Sequence, residues 1–287
     1  MILVIGTCFM GCDNNFDSEN DDVVATIAII GDVHIGKKNT KPSPEDKLAK
    51  ALDELRNIAP KLDAIAFAGD MVDLGTDSEY EEFVRIVEAH TDSSVPKIYA
   101  MGNHEYFRDG VVRYGGESSA FIEECQKAYK EYLSPELDTV SVVNGVYIIA
   151  ISARNSAASY AECEDFIIES VEKAASKNPN MPIVIISHEG AGSFFEGGVS
   201  GYTQKTIETL NKYPQIIFFS GHTHLALQDM RMIQQDKYTT VQTSTVGADF
   251  WNYTFESVSQ PENAESASQG LILQLKKDGT SEIIRYD

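Results

Sequence analysis

From about residue 23 the chain alternates short apolar runs with amphipathic stretches, the pattern of an α/β domain. The first run, VVATIAIIG, covers 23–31. Ser43-Pro44-Glu45-Asp46 then supplies an N-cap serine, a proline at the first helical position and acids in the first turn. Leu48, Leu52, Leu55 and Ile58 recur at spacings of three and four, so one face of that helix is apolar. LDAIAFAG (62–69) is the next run, followed by a helix from Asp77 with Tyr80, Phe83, Val84 and Val87 on one side. KIYAMG (97–102) precedes a helical stretch near 117–133. TVSVV and VYIIAIS flank Asn144-Gly145, the signature of a two-residue hairpin turn. A helix near 159–176 leads to PIVIIS (182–187), and one near 203–213 leads to QIIFFSG (215–221). GLILQLKKDG and TSEIIRY read as closing strands, and 257–269 as a surface loop. No internal repeat and no second composition regime occurs, so 23–287 is expected to be one domain.

The N-terminus follows a different rule. MILVIGTCFMG carries no charge and, at eleven residues, is short of the ~20 apolar residues a spanning helix needs. It fits the end of a secretory apolar region (1–11), followed by Cys12 and the acidic tether DNNFDSENDD up to residue 22. Small residue, cysteine and tether resemble a bacterial lipoprotein signal, which implies lipidation at Cys12 and an exported, membrane-anchored protein. A buried N-terminal strand, or a cytoplasmic protein with a frayed end, is the alternative. Cys125 and Cys163 lie on expected helices among glutamates, as two free thiols or as a pair.

Charge narrows the partners. The formal net charge is −21, with 44 acids against 23 bases. Binding a phosphodiester polymer needs a basic surface to release counterions, so nucleic acid is disfavoured as a partner. A small phosphorylated substrate remains compatible, because bound cations reverse the local sign of an acidic pocket.

The candidate chemistry lies at the ends of five apolar runs: IAIIG-DVH, AIAFAG-DMVD, KIYAMG-NHE, IVIIS-HEG and IIFFSG-HTH. Ligands of open α/β sheets bind beyond the carboxyl ends of strands. If the five runs lie side by side, their loops bring Asp32, His34, Asp70, Asn103, His104, His188, His222 and His224 to one rim. Five of the six histidines fall in these motifs, and only His90 is elsewhere. The glycine before four of the motifs lets the backbone turn and approach closely. Imidazoles, carboxylates and one amide oxygen, with no thiolate, suit Mn, Fe or Zn.

The order D-x-H, G-D-x-x-D, G-N-H-E, a lone histidine after an apolar run, and G-H-x-H resembles the calcineurin-like metallophosphoesterase superfamily, over residues 30 to about 225. The resemblance implies an α/β fold, a four-layer αββα sandwich of two mixed sheets with a dinuclear metal site at strand C-terminal ends. It implies two divalent or trivalent ions: Asp32, His34 and His224 around one, Asn103, His188 and His222 around the other, and Asp70 bridging. His104 matches the family's substrate-facing histidine, and Asp73 the acid that orients it. Glu105 is expected to brace its loop. Purple acid phosphatases carry a tyrosine ligand three residues after the bridging aspartate; here Asp73 stands there, which argues against a ferric–tyrosinate site. The arginine that protein phosphatases place after the second motif is absent, and Arg108 is the nearest candidate for the one after the third.

The implied reaction is hydrolysis of phosphate mono- or diesters by in-line attack of a metal-bridging hydroxide. A nuclease of the same superfamily, or a non-catalytic metal-binding surface lipoprotein, is the alternative. For the substrate, EGAGSFFEGGVSGY (189–202) offers Phe194, Phe195 and Tyr202, and DFWNYTF (249–255) offers Trp251. Each aromatic either walls the pocket or folds into the core. Arg108, Arg113 and Arg154 either meet a phosphate or form surface ion pairs.

Overall fold

The structure, a computed structural model, describes residues 3–7, 22–108, 110–112, 114–191, 201–248, 252–253, 258–259 and 266–286. In chain order the elements are β1 (Leu3–Thr7), β2 (Val23–Ile30), α1 (Pro44–Ile58), β3 (Ala64–Ala68), α2 (Asp77–His90), β4 (Lys97–Ala100), α3 (Ser119–Tyr132), β5 (Thr139–Val143), β6 (Val146–Ile151), α4 (Glu164–Lys177), β7 (Ile183–Ser187), α5 (Gln204–Leu210), β8 (Ile216–Ser220), β9 (Ile233–Gln235), β10 (Thr239–Gln242), β11 (Asn252–Tyr253), β12 (Val258–Ser259), β13 (Gly270–Lys276) and β14 (Ser281–Tyr286).

Two six-stranded sheets carry the fold, in the orders β1-β14-β13-β2-β3-β4 and β5-β6-β7-β8-β10-β9. Both are mixed. β2, β3 and β4 run parallel while β13 is antiparallel to β2; β6, β7, β8 and β10 run parallel between antiparallel edges β5 and β9. The inner strands β2, β3, β7 and β8 are apolar on both faces, as strands covered on both sides must be. Odd-numbered residues of β2 (Ala25, Ile27, Ile29) face the second sheet, with Ala64, Ala66 and Ala68 of β3, against Ile148, Ala150, Val184, Ile186, Ile217 and Phe219. Alanines on β3 leave room for the bulkier partners opposite. Ala28, Ile30, Ile65 and Phe67 belong instead to the cluster with helix residues Leu48, Leu52, Tyr80, Phe83, Ile167 and Val171.

The helix starts follow their chemistry. The Ser43 hydroxyl accepts from the Asp46 N–H (3.2 Å), and Glu79 reaches back to the Thr76 N–H (3.0 Å). Asn144 and Gly145 have φ of 50° and 85°, the left-handed pair that a tight β5–β6 hairpin needs. The helix expected from 159 begins at Glu164, because Tyr160 is buried in the core and Ala161–Cys163 form a single 3-10 turn. Cys125 and Cys163 are both buried and are not joined in a disulfide. The five motif-bearing strands do not lie side by side in one sheet: β2, β3 and β4 belong to the first and β7 and β8 to the second. Residues 3–7 add an edge strand parallel to β14. No helix among the described residues is long and apolar enough to cross a membrane.

Candidate metal centre

At the carboxyl ends of β2, β3 and β8 the chain turns through the ligand-type residues themselves. Asp32, His34, Asp70, His222 and His224 all have left-handed φ, between 49° and 70°. Such backbone costs a non-glycine residue free energy, and a cluster of it marks a site the surrounding fold holds in place. The preceding glycines mostly serve another purpose. Gly69 is left-handed (φ 87°), but Gly31, Gly102 and Gly221 are not. A Cβ on Gly102 would collide with the Asp70 carboxylate, and one on Gly221 with that of Asp32. These glycines make room for a neighbouring ligand side chain.

Two donor clusters result. In the first, His224 Nε2 lies 3.0 Å from Asp32 Oδ1 and 3.2 Å from His34 Nε2. In the second, Asn103 Oδ1 lies 2.9 Å from His188 Nε2 and 3.1 Å from His222 Nδ1, and those two nitrogens are 3.2 Å apart. Asp70 stands between: its Oδ2 is 3.1 Å from His188 Nε2 and 3.8 Å from His34 Nε2. All seven residues expected as ligands are thus brought together. Asp32, His34, Asp70, Asn103 and His188 are buried, whereas the His222 side chain is 42% exposed, so the site opens beside it.

This donor set fits cations. The Asp32 and Asp70 carboxylates are met by histidines and by the backbone N–H groups of His222 and His104. Imidazole nitrogens facing each other at 3.2 Å need a shared proton or a cation between them. Without cations, protons fill the role. Burial would raise the pKa of Asp32, but the charge and hydrogen bond of His224, with His34, hold it well below the carboxylate range. Asp70 is likewise held down, against its burial, chiefly by His188. Burial pulls the two buried imidazoles down, yet Asp32, Asp73 and Asp70 lift His34 to about 9. Asp70 and Asp32 lift His188 to about 10. Partial desolvation of its half-exposed ring and the charge on His188 depress His222 to about 4, and burial also lowers His224.

His104 and Asp73 flank the clusters in a relation the sequence did not specify. His104 Nε2 is 4.0 Å from Asp70 Oδ2. Its Nδ1 lies 2.8 Å from the Asp73 backbone carbonyl and 3.4 Å from the Asp73 carboxylate. That carboxylate is 3.3 Å from His34 Nδ1. Asp73 therefore holds two rings: His104 mainly through its main chain and His34 through its side chain.

The supporting contacts are long-range. Glu105, fully buried, accepts the N–H groups of Met71 (2.7 Å) and Val72 (3.4 Å) on Oε1 and those of Gly102 (2.7 Å) and Asp70 (3.2 Å) on Oε2. It ties the Asp70 loop to the Asn103 loop. The Thr245 hydroxyl donates to the Asp32 carbonyl (2.7 Å). Gln242 accepts from Thr223 (2.8 Å) and donates to Ser220 (2.8 Å), bracing the HTH turn. Thr245 and Gln242 carry no sequence signal that would have singled them out. Glu189 had one, its place in a strand-end HEG motif; its Oε1 lies 3.4 Å from His222 Nε2.

Two substrate expectations change. Arg108 is engaged by the Gly75 carbonyl (2.6 Å), Asp77 (2.8 Å) and Glu124 (3.2 Å), which uses its donor fork on the protein itself. Tyr202 is buried, stacked on Tyr160 with ring centroids 4.4 Å apart, and its hydroxyl lies 2.6 Å from Ser187 Oγ; it is core beneath the His188 strand end, not a pocket wall. Arg154 pairs with Asp138. Phe194, Phe195, Trp251, Arg113 and Cys12 lie outside the described residues.

Comparison with known proteins agrees with this geometry. A family model described as calcineurin-like phosphoesterase matches residues 25–226. A probable glycerophosphodiester phosphodiesterase, GpdQ, of Arcobacter nitrofigilis is 23% identical over 209 residues, covering 68% of this chain and 70% of that protein. Among solved structures, the purple acid phosphatase PPD1 of yellow lupin superposes with a TM-score of 0.60 at 16% identity over 92% of this chain. The sulfate thiohydrolase SoxB of Thermus thermophilus gives 0.52 at 12% identity, again over 92%. The match spans 54% and 56% of those two solved chains, and at such identity the likeness is one of fold.

Proposed function

The chain belongs to the calcineurin-like phosphoesterase family, and on that premise we propose that it hydrolyses mono- or diesters of a small or nucleotide-like phosphate with two bound cations. The observation that carries this reading is the pair of donor clusters joined through Asp70 Oδ2. Asp32, His34 and His224 would hold one cation, Asn103, His188 and His222 the other, and Asp70 both. Bound there, two cations would supply Lewis acidity toward the phosphoryl oxygens and lower the pKa of a coordinated water.

The remaining work falls to the protein. Buried carboxylates and left-handed turns hold the donors in place before substrate arrives, so little reorganisation is needed. Donation from Nδ1 to the Asp73 carbonyl leaves His104 Nε2 facing the site beside Asp70. With a proton on both ring nitrogens, His104 would contact the phosphoryl group and give its Nε2 proton to the leaving oxygen, keeping the Nδ1–H that the Asp73 carbonyl accepts. The acidic chain and its committed Arg108 support a small substrate over a polymer. The relative named as a glycerophosphodiester phosphodiesterase makes small diesters the first class to assay.

Purified protein supplemented with Mn²⁺ is expected to hydrolyse an aryl phosphate mono- or diester. Asp70→Asn or His188→Ala should abolish turnover, and His104→Ala should keep both cations while losing most of the rate. Full metal occupancy without turnover on either ester would instead support a binding protein. Lipid attachment at Cys12 and export rest on the sequence motif. Metabolic lipid labelling that survives Cys12→Ser, or a mature protein that retains Leu3–Thr7, would refute them.

A further inference from the structure

We propose that Glu189 is a positioning residue that fixes the His222 ring and selects Nδ1 as its metal-binding nitrogen; the role rests on the two-cation reading above. The ring orientations single out this position. His34 and His188 turn Nε2 into the site and secure Nδ1 behind, His34 against Asp73 (3.3 Å) and His188 against the Ala68 carbonyl (3.0 Å). His222 is reversed. Its Nδ1 is the inward atom, 3.1 Å from Asn103 Oδ1 and 3.2 Å from His188 Nε2, and its Nε2 faces Glu189 Oε1 at 3.4 Å.

A reversed ring needs an acceptor on its outer nitrogen, because a proton held at Nε2 leaves the Nδ1 lone pair free for a cation. Packing alone supplies little restraint here, since the His222 side chain is 42% exposed while that of His188 is fully buried. Glu189 is itself held firmly. Its N–H donates to the Tyr160 hydroxyl (3.0 Å), and the Tyr202 hydroxyl donates to its carbonyl (3.3 Å). The two tyrosine rings stack with an interplanar angle of 3°. A buried aromatic pair thus fixes the main chain on both sides of one residue, Glu189, whose carboxylate faces His222. The tyrosines, assigned above to the core, gain a reason for their placement.

The test uses the full chain, Glu189→Ala and Glu189→Gln, Zn²⁺ titration calorimetry, and ring ¹⁵N spectra of His222 in the Zn²⁺-loaded protein. Wild type should bind two ions, with His222 protonated at Nε2. Glu189→Ala should weaken one of the two binding events by about 10–100-fold and leave the other unchanged, with the His222 Nε2–H signal lost. Glu189→Gln, nearly isosteric and still offering an amide oxygen, should recover most of the affinity and the signal. Wild-type affinities and an unchanged His222 tautomer in both variants would overturn the proposal, as would a lower melting temperature with the tautomer intact. Failure of wild type to bind two ions would overturn the two-cation reading itself, and this proposal with it.

Discussion

Replacing Glu105 with glutamine tests how the centre is held together. The wild-type carboxylate is acceptor-only and receives four backbone N–H groups, two on each oxygen. Glutamine keeps the shape but must turn its NH₂ toward one of those pairs, so two N–H donors lose their acceptor and meet another donor. Whichever way the amide turns, one of the two 2.7 Å bonds, to Met71 or Gly102, is lost. A hydrogen bond to a charged acceptor contributes about 1.5–3 kcal/mol, and two lost bonds give about 3–6 kcal/mol. For a domain of this size that is a fall in melting temperature of roughly 6–24 °C. The measurement is urea and thermal unfolding of metal-free wild type and Glu105→Gln at pH 8. That pH lies above the value of about 7 to which burial and Asp70 push Glu105, so the wild-type group is ionised. Zn²⁺ affinity should fall as well, because the loops carrying Asp70 and Asn103 are no longer tied. A variant within about 1 kcal/mol of wild type with normal Zn²⁺ binding would show that water satisfies these donors and that Glu105 is not the brace.

Four further outcomes are expected. Metal loading should release protons below about pH 9, because His34 and His188 are lifted to about 9 and 10 in the metal-free chain; calorimetry in buffers of different ionisation enthalpy reads this as an affinity that rises with pH. The sign for metal-free stability is opposite: the contribution of these two histidines is full below about 6.5 and is lost as pH rises through 9–10, which pH-dependent unfolding measures. Gly102→Ala should displace Asp70 and lower Zn²⁺ stoichiometry below that of wild type while circular dichroism stays native. Tyr202→Phe should cost about 1–2 kcal/mol through the lost hydroxyl contacts to Ser187 and Glu189; a KM change without a stability change would restore Tyr202 to the pocket wall.

Much of the fold was legible because its signals are local. Ser43-Pro44 starts α1 by capping its own first turn, and Asn144-Gly145 makes its hairpin by φ preference alone. The apolar runs before four of the ligand motifs are strands buried on both faces, and a residue just past a strand end is placed at a sheet edge by the chain itself. Helix α4 began later than its pattern suggested because Tyr160 is held by tertiary contacts rather than by helical ones.

The sequence by itself determined which residues meet, because strand-end motifs are set by neighbours a few positions apart. Only the tertiary structure decided how they meet. His34 and His224 lie 190 positions apart, and they touch because two separate sheets present their carboxyl ends to one another. No local rule says that Asp73 gives its carboxylate to His34 and its carbonyl to His104. Nor does any local rule say that Arg108 is used up by Gly75, Asp77 and Glu124. Hydrogen bonds and ion pairs depend on ångström-scale placement of groups far apart in sequence, and that placement exists only once the inter-sheet core has packed.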